Sequence, residues 1–362
     1  MKKCKIYALY LPQFHQTKEN DEWWGVGFTE WNAVKSAKKY SRFSRQPRIP
    51  LNGYYDLSKV EDIKYQAEIA RKYSVDGFAI YHYYSNGKIL LGKPAELLLN
   101  NKDINIEYFF SWANHDWRRT WYGYNYEILQ KQEYGTKQQI IEHYYYLRDH
   151  FKDSRYLKIK NKPVFSIYKA DYIPNINEYK EIWTELANTD GFDGIYFIQT
   201  IDNSTLSRNE ETFDAAFDFE PGCTILGTQM SKYRMFNKVR SFLIKKMKIG
   251  SVAQIYDYRV VSKKITDRVY SDDKHYFGVF SGWDNTPRHK KMGTVYKHES
   301  ISEFENLFSN QYKKAVARNQ ELLLINSWNE WSEGAYLEPD TYSKYGLLEA
   351  INRTVKEYEE EL

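Results

Sequence analysis

An alternation of short runs limits the fold more than any other feature of this chain. Eight runs rich in apolar, β-branched or aromatic residues recur, at 6–11, 77–84, 106–114, 163–168, 194–200, 215–220, 276–283 and 322–328. Helical periodicity fills most of the gaps between them. Residues 57–73 set Val60, Ile63, Ala67 and Ala70 on one face, and 302–319 repeat Phe304, Leu307, Tyr312 and Ala315. Stretches 136–151, 176–187 and 347–360 are of the same kind. Strands that alternate with helices pair in parallel through crossovers. Eight of them predict an α/β fold of the (β/α)8 TIM-barrel type, with long loops at the carboxyl face. The fifth connection, 201–214, is too weakly patterned to predict a helix. No repeat, low-complexity tract or linker-like shift divides the chain, so 1–362 reads as one domain with a basic helical insertion around 229–268.

Composition removes several function classes. Lys plus Arg is 52 against 48 Asp plus Glu, too even for a nucleic-acid partner of the whole chain. No run approaches the ~18 apolar residues of a membrane span. Cys4 and Cys223 fit no metal or redox spacing and read as free thiols of a reducing compartment. The apolar run 6–11 stops at Pro12, short of the ~7–15 residues of a secretory signal, and reads as the first buried strand of a cytoplasmic protein. Dinucleotide-binding, P-loop and nucleophile-elbow motifs are missing from the sequence. Asp218 and Glu220 are the nearest approach to a metal-holding pair, and a weak one. Neither a cofactor nor a metal is expected.

In a barrel of this type, chemistry sits where strands end. The ends here carry Gln13 and His15; Tyr81, His82 and Tyr83; Trp112, Asn114, His115, Asp116 and Trp117; Tyr168; Gln199; Glu220; Trp283 and Asp284; and Asn329, Glu330 and Glu333. Flat rings beside amides and carboxylates suit a sugar, whose axial hydrogens pack on a ring while its hydroxyls need fixed partners. Rings that merely cap the barrel core are the alternative.

Glu330 and Glu333 are the sharpest signal. Glycosidic chemistry needs two carboxyl groups, one to give a proton to the leaving oxygen and one for a nucleophile or base step. A three-residue spacing in a turn sets both on one side. Trp328 and Trp331 would raise the pKa of one acid by lowering the local dielectric. Acids placed on a helix dipole are the competing explanation. The cluster 111–121, with Arg118, Arg119 and three Trp, reads as a clamp for an acidic or phosphorylated group, or as a loop stapled by Arg on Trp. Loops 21–31, with Trp24 and Glu30, and 282–288 read as cleft walls. The segment 229–268 sets eleven basic residues against Asp257 and Asp267, with Met235, Phe236, Val239, Phe242, Leu243 and Met247 on a helical face. That pattern suits an anionic membrane surface, or a solvated helix docked on its own domain.

The motifs together resemble a known family. The runs Tyr10-Leu11-Pro12-Gln13-Phe14-His15, Glu22-Trp23-Trp24-Gly25, Phe28-Thr29-Glu30-Trp31, Tyr81-His82-Tyr83, Trp112-Ala113-Asn114, Gly282-Trp283-Asp284-Asn285-Thr286-Pro287-Arg288 and 328–339 are similar to the WbsX group of glycosyltransferase-like proteins. That group is akin to glycoside hydrolase family 99, retaining endo-α-mannosidases with a (β/α)8 barrel, and occurs in bacterial gene clusters for O-antigen and capsule-type polysaccharides. Asn329-Glu330-Trp331-Ser332-Glu333-Gly334 matches the hydrolases' Asn-Glu-Trp-x-Glu-Gly run, with Ser332 where they tend to have His. The resemblance implies Glu330 as base towards the sugar 2-hydroxyl, through a 1,2-anhydro intermediate, and Glu333 as general acid and then base. Candidate substrate-binding residues are Tyr10, His15, Trp24, Glu30, Tyr81, His82, Trp112, Asn114, Arg118, Trp283, Asp284, Asn329 and Tyr336. The expected substrate is an oligosaccharide or polysaccharide, acted on by a transferase; a retaining hydrolase on α-mannoside-type glycans and a non-catalytic carbohydrate-binding barrel are the alternatives. The expected setting is the cytoplasm, with peripheral contact to an anionic membrane through 229–268.

Overall fold

A strand with a parallel neighbour on each edge, helices over one face and the barrel interior on the other has no solvent side, so its residues are buried without alternation. The computed structural model describes residues 4–118, 127–202, 209, 211–227, 230–247, 253–270 and 272–360. It has eight such strands: β1 (Lys5–Tyr10), β2 (Gly77–Ser85), β3 (Glu107–Trp112), β4 (Lys162–Ile167), β5 (Tyr196–Ile201), β6 (Ala215–Asp218), β7 in two pieces (His275–Tyr276 and Gly278–Phe280) and β8 (Leu322–Asn326). Every residue of β5, β6 and β8 is buried.

Neighbouring barrel strands all pair in parallel, and short antiparallel pieces, Lys88–Leu90 and Lys158–Ile159, fold back on β2 and β4. Ala8 of β1 lies opposite both Phe78 of β2 and Ile325 of β8, and the order then runs outward through β3, β4, β5 and β6. The ring closes through β7. Its first piece pairs with β6, His275 opposite Ala216, and its second with β8, Val279 opposite Ile325. Closure depends on Gly278, where a Cβ would stand 2.0 Å from the Asp218 carbonyl oxygen. A larger residue there would push β6 and β7 apart.

The helices follow from their caps and apolar faces. Those of eight residues or more are α1 (Val60–Lys72), α2 (Lys93–Asn100), α3 (Lys137–Lys152), α4 (Ile176–Thr189), α5 (Ser231–Met247), α6 (Tyr258–Thr266), α7 (Ile301–Ala317) and α8 (Gly346–Glu360). In α1, Ile63, Ala67 and Ala70 are buried, with Glu61 and Asp62 in the first turn and Arg71 and Lys72 in the last, signs that favour the helix dipole. Thr136 and Gln139 form a reciprocal capping box on α3. Ser300 caps α7, which buries Phe304, Leu307, Phe308, Tyr312 and Ala315. Among the described residues of the fifth connection there is no helix.

Three small sheets brace the loops at the carboxyl ends. The hairpin of Trp117–Arg118 and Ile128–Gln130 follows β3. Gln254–Asp257 pairs in parallel with Thr294–Lys297, tying the excursion after β6 to the loop after β7. Asn329–Glu330 pairs with Ala335–Tyr336 beyond β8. Among the described residues, no helix is long and apolar enough to cross a membrane.

Candidate active site

The turn after β8 is held from all sides. Asn329 Oδ1 accepts from the Leu11 amide at 2.7 Å and its Nδ2 donates to the Leu11 carbonyl at 2.9 Å, fastening the turn to the end of β1. The Glu330 amide donates to Ser327 Oγ at 2.9 Å. Gly334 then turns the chain back with φ of +64°, and a Cβ there would lie 2.8 Å from the Asp284 amide nitrogen. Trp328 and Trp331 are fully buried behind the turn. Their indole nitrogens donate to the two oxygens of Glu338, at 3.1 and 2.6 Å, and Gln66 and Tyr55 donate to the same carboxyl. Burial still pushes Glu338 up to about 7.

One guanidinium gathers the acids. Asp284 accepts from Ser44 Oγ, the Thr286 amide and Thr286 Oγ1, fixing the short helix Thr286–His289. From that helix Arg288 donates to Glu333 Oε1 at 2.6 Å, Glu330 Oε2 at 3.0 Å and Glu30 Oε1 at 2.8 Å. Its Nε donates to Ser332 Oγ at 2.5 Å, and that hydroxyl donates on to Glu30. Glu30 is fully buried, and its Oε2 has no hydrogen-bond partner. Three carboxyls around one fixed cation leave an excess of negative charge in a place poor in water, a setting that favours retaining a proton. Burial, opposed by Arg288 and reinforced by Glu333 and Glu30, pushes Glu330 up to about 8. A carboxyl raised by burial and a second acid on the same cation can serve as an acid–base pair.

Glu330, Glu333 and Arg288 open into a cleft of about 850 Å³ at the carboxyl face, within the size range of ligand sites. Trp24, Tyr81, Tyr83, Trp117, Tyr168 and Trp283 supply ring faces and edges, and Gln13, His115, Asp116, Arg118, Gln132 and Lys169 supply polar atoms. Burial pushes His115 down to about 4, leaving it neutral. Asp116 accepts from Arg118 at 3.1 Å and from the Gln132 amide at 2.9 Å. Lys169 pairs with Asp202.

Of the residues singled out in the sequence, Glu330, Glu333, Trp24, Tyr81, Arg118 and Trp283 line the cleft, as do Gln13, Tyr83, His115, Asp116, Trp117 and Tyr168 from the strand ends. Several others do not. Strand alternation turns Tyr81 and Tyr83 to the cleft and His82 away, where its Nε2 meets His143 Nε2 of α3 at 2.7 Å. Trp112 is likewise buried and donates to the Tyr84 carbonyl. Tyr10 is buried and donates to Gln66 of α1. His15 is buried, which lowers its pKa. Asn114 holds the backbone of Lys169 through both its side-chain atoms. Asp284 and Asn329 are the braces described above. Tyr336 stacks on Trp331 at 3.8 Å and donates to Asp340. Glu30 touches Arg288 from beneath. Arg119, Thr120 and Trp121 lie outside the described residues. Asp218 and Glu220 are bridged by Arg268, 2.7 Å from Glu220 Oε1, so a guanidinium fills the space between them.

The sequence reading missed Arg288 as the hub, although its loop was marked as a wall.

The profile described as Glycosyltransferase WbsX matches residues 6–351. Two curated relatives, each an uncharacterized protein WxcX from Xanthomonas campestris pv. campestris, in strains B100 and ATCC 33913, are 29% identical over 356 residues. The match covers 97% of this chain and 49% of each relative, so the chain spans about half their length. Among solved structures, the GH99 endo-alpha-mannosidase from Bacteroides thetaiotaomicron superposes with a TM-score of 0.56 at 14% identity, covering 98% of this chain and 97% of that one. A glycoside hydrolase-like protein gives 0.57 at 10% identity, covering 98% and 94%. These likenesses establish the barrel fold. Since the matched region runs from the first barrel strand into the last helix, the chain belongs to the WbsX glycosyltransferase family.

Proposed function

We propose that this enzyme makes or transfers a glycosidic bond in the assembly of an O-antigen or capsule-type polysaccharide, with retention, using Glu330 and Glu333. The observation that carries the reading is Arg288, which joins both carboxyls at the floor of a ring-lined cleft. A sugar stacks on the rings of the wall. Glu333 gives its proton to the departing glycosidic oxygen while Glu330 takes the proton of the sugar 2-hydroxyl, whose oxygen closes on the anomeric carbon. The bond to the leaving group breaks as the 1,2-anhydro sugar forms. In the second step Glu333 takes the proton of an incoming hydroxyl, that oxygen bonds to the anomeric carbon as the bond from that carbon to the 2-oxygen breaks, and Glu330 returns its proton to the 2-oxygen. Burial raises Glu330, so the step requires the bound sugar to lower that carboxyl far enough to take the 2-hydroxyl proton. The setting we assign is the cytoplasm, at the inner face of a membrane.

Hydrolysis of α-mannoside-type glycans is the second reading. It is supported by the run Asn329-Glu330-Trp331-Ser332-Glu333-Gly334 and by the likeness of the barrel to the GH99 endo-alpha-mannosidase from Bacteroides thetaiotaomicron. Incubation with nucleotide-sugars and, separately, with α-mannosyl fluoride separates the readings. Release of nucleoside diphosphate supports transfer from an activated donor. Turnover of the fluoride with water alone supports the hydrolase. Tight glycan binding with no turnover of either leaves a binding barrel and overturns both.

A further inference from the structure

Amphipathic helices of water-soluble domains turn their apolar stripe inward. Helix α5 does the reverse. Its docked face is polar: Arg234 donates to the carbonyls of Ile225 and Gly227, at 2.5 and 2.7 Å. Asn237 exchanges two hydrogen bonds of 3.1 Å with the backbone of Ile255, and Arg240 donates to the Ala253 carbonyl at 2.6 Å. Asn237 is the buried residue of the helix. Met235, Phe236, Val239, Phe242, Leu243 and Met247 fall on the opposite face at helical spacing and stand 49–65% exposed. An apolar stripe of this length held outward by specific bonds marks a contact surface.

Charge selects the partner. The helix carries six basic residues and no acidic one. At 3.6 residues per turn Lys232 and Lys246 stand at the two ends of the stripe, with Lys238 and Lys245 along one edge. Such a face repels a second copy of itself and attracts a surface that is negative and apolar beneath. The helix is also tied to the mouth of the cleft. Ile255 belongs to the strand that pairs with Thr294–Lys297, and the Tyr296 amide of that strand donates to the carbonyl of Trp283 in the cleft wall.

We propose that α5 is a peripheral membrane anchor, which lays its outward apolar stripe into an anionic bilayer and holds the rim of the cleft at the lipid surface. The proposal deepens the membrane setting given above and rests on it. The test is co-sedimentation of the full chain with vesicles of phosphatidylcholine alone and of phosphatidylcholine with phosphatidylglycerol. The chain is expected on the anionic vesicles, less so as salt rises, with little on the neutral ones. Phe236→Asp/Phe242→Asp should weaken that partition by at least about tenfold. Lys238→Glu/Lys245→Glu should remove the preference for phosphatidylglycerol. All these side chains are exposed, so circular dichroism and glycan turnover should stay at wild-type values. No binding to anionic vesicles, equal binding by the double Phe variant, or a dimer that this variant dissolves would each overturn the anchor. Lost vesicle binding with glycan turnover intact removes the anchor alone. Vesicle binding by a chain that turns over no glycan removes the catalytic reading alone.

Discussion

Replacing Arg288 by Ala tests the logic of the site. The substitution removes a mostly buried cation that donates to Glu30, Glu330, Glu333 and Ser332, and leaves three acids facing a hole. Removing one partner of a buried ion pair costs about 3–5 kcal/mol. At an unfolding entropy of ~2.1 cal/mol/K per residue, 362 residues give roughly 0.8 kcal/mol/K, so the melting temperature should fall by about 4–7 °C. The second consequence is in the titration. Arg288 holds Glu330 down against burial and its acidic neighbours, so its loss should move Glu330 above the value of about 8 that it has beside Arg288. A carboxyl raised in the folded state binds its proton more tightly there than in the unfolded chain. Stability therefore falls as pH rises from the unfolded value of about 4.5 to the folded one, and that falling range should extend to higher pH in the variant. Thermal melts from pH 4 to 10 read both effects. Arg288→Lys should recover little, because a point charge cannot serve acids on several sides at once. An Arg288→Ala protein with an unchanged melting temperature and an unchanged pH dependence would refute the reasoning.

Two further outcomes are expected. Glu333→Gln should lower turnover by on the order of 10²–10⁴ while glycan affinity, measured by calorimetry, stays within a few-fold; unchanged turnover would remove Glu333 from the chemistry. Gly278→Ala brings a methyl group against the Asp218 carbonyl at the closure of the barrel, and should destabilise the fold by roughly 1–3 kcal/mol in urea unfolding, with no change expected if β6 and β7 were not in contact.

The barrel was legible because parallel strands and their helices leave two different periodicities in the sequence. The dyad was legible because both acids lie on one short turn, where local spacing decides their relation. Long-range relations left no such trace. Glu30, Arg288 and Ser332 meet only because the loops after β1, β7 and β8 converge, and no spacing between positions 30, 288 and 332 encodes that. His82 and Trp112 recommend themselves as substrate contacts by lying near strand ends, and Tyr10 by its place in a motif run. Strand parity, which sets them towards helices or the packed wall, was the signal passed over. The stripe of α5 was visible as a pattern, but which side of it faced the protein depended on the polar anchors Arg234, Asn237 and Arg240.

The central claim is that a dyad on one arginine stores a proton at neutral pH. Infrared titration of the carboxyl C=O band tests it most directly, with Glu330→Gln identifying the band, since Glu338 is also pushed up, to about 7. The wild-type Glu330 band should persist to near pH 8 and titrate at lower pH in Glu333→Gln, where a neighbouring charge is gone. A Glu330 band that vanishes near pH 4.5 in the wild type would contradict the account.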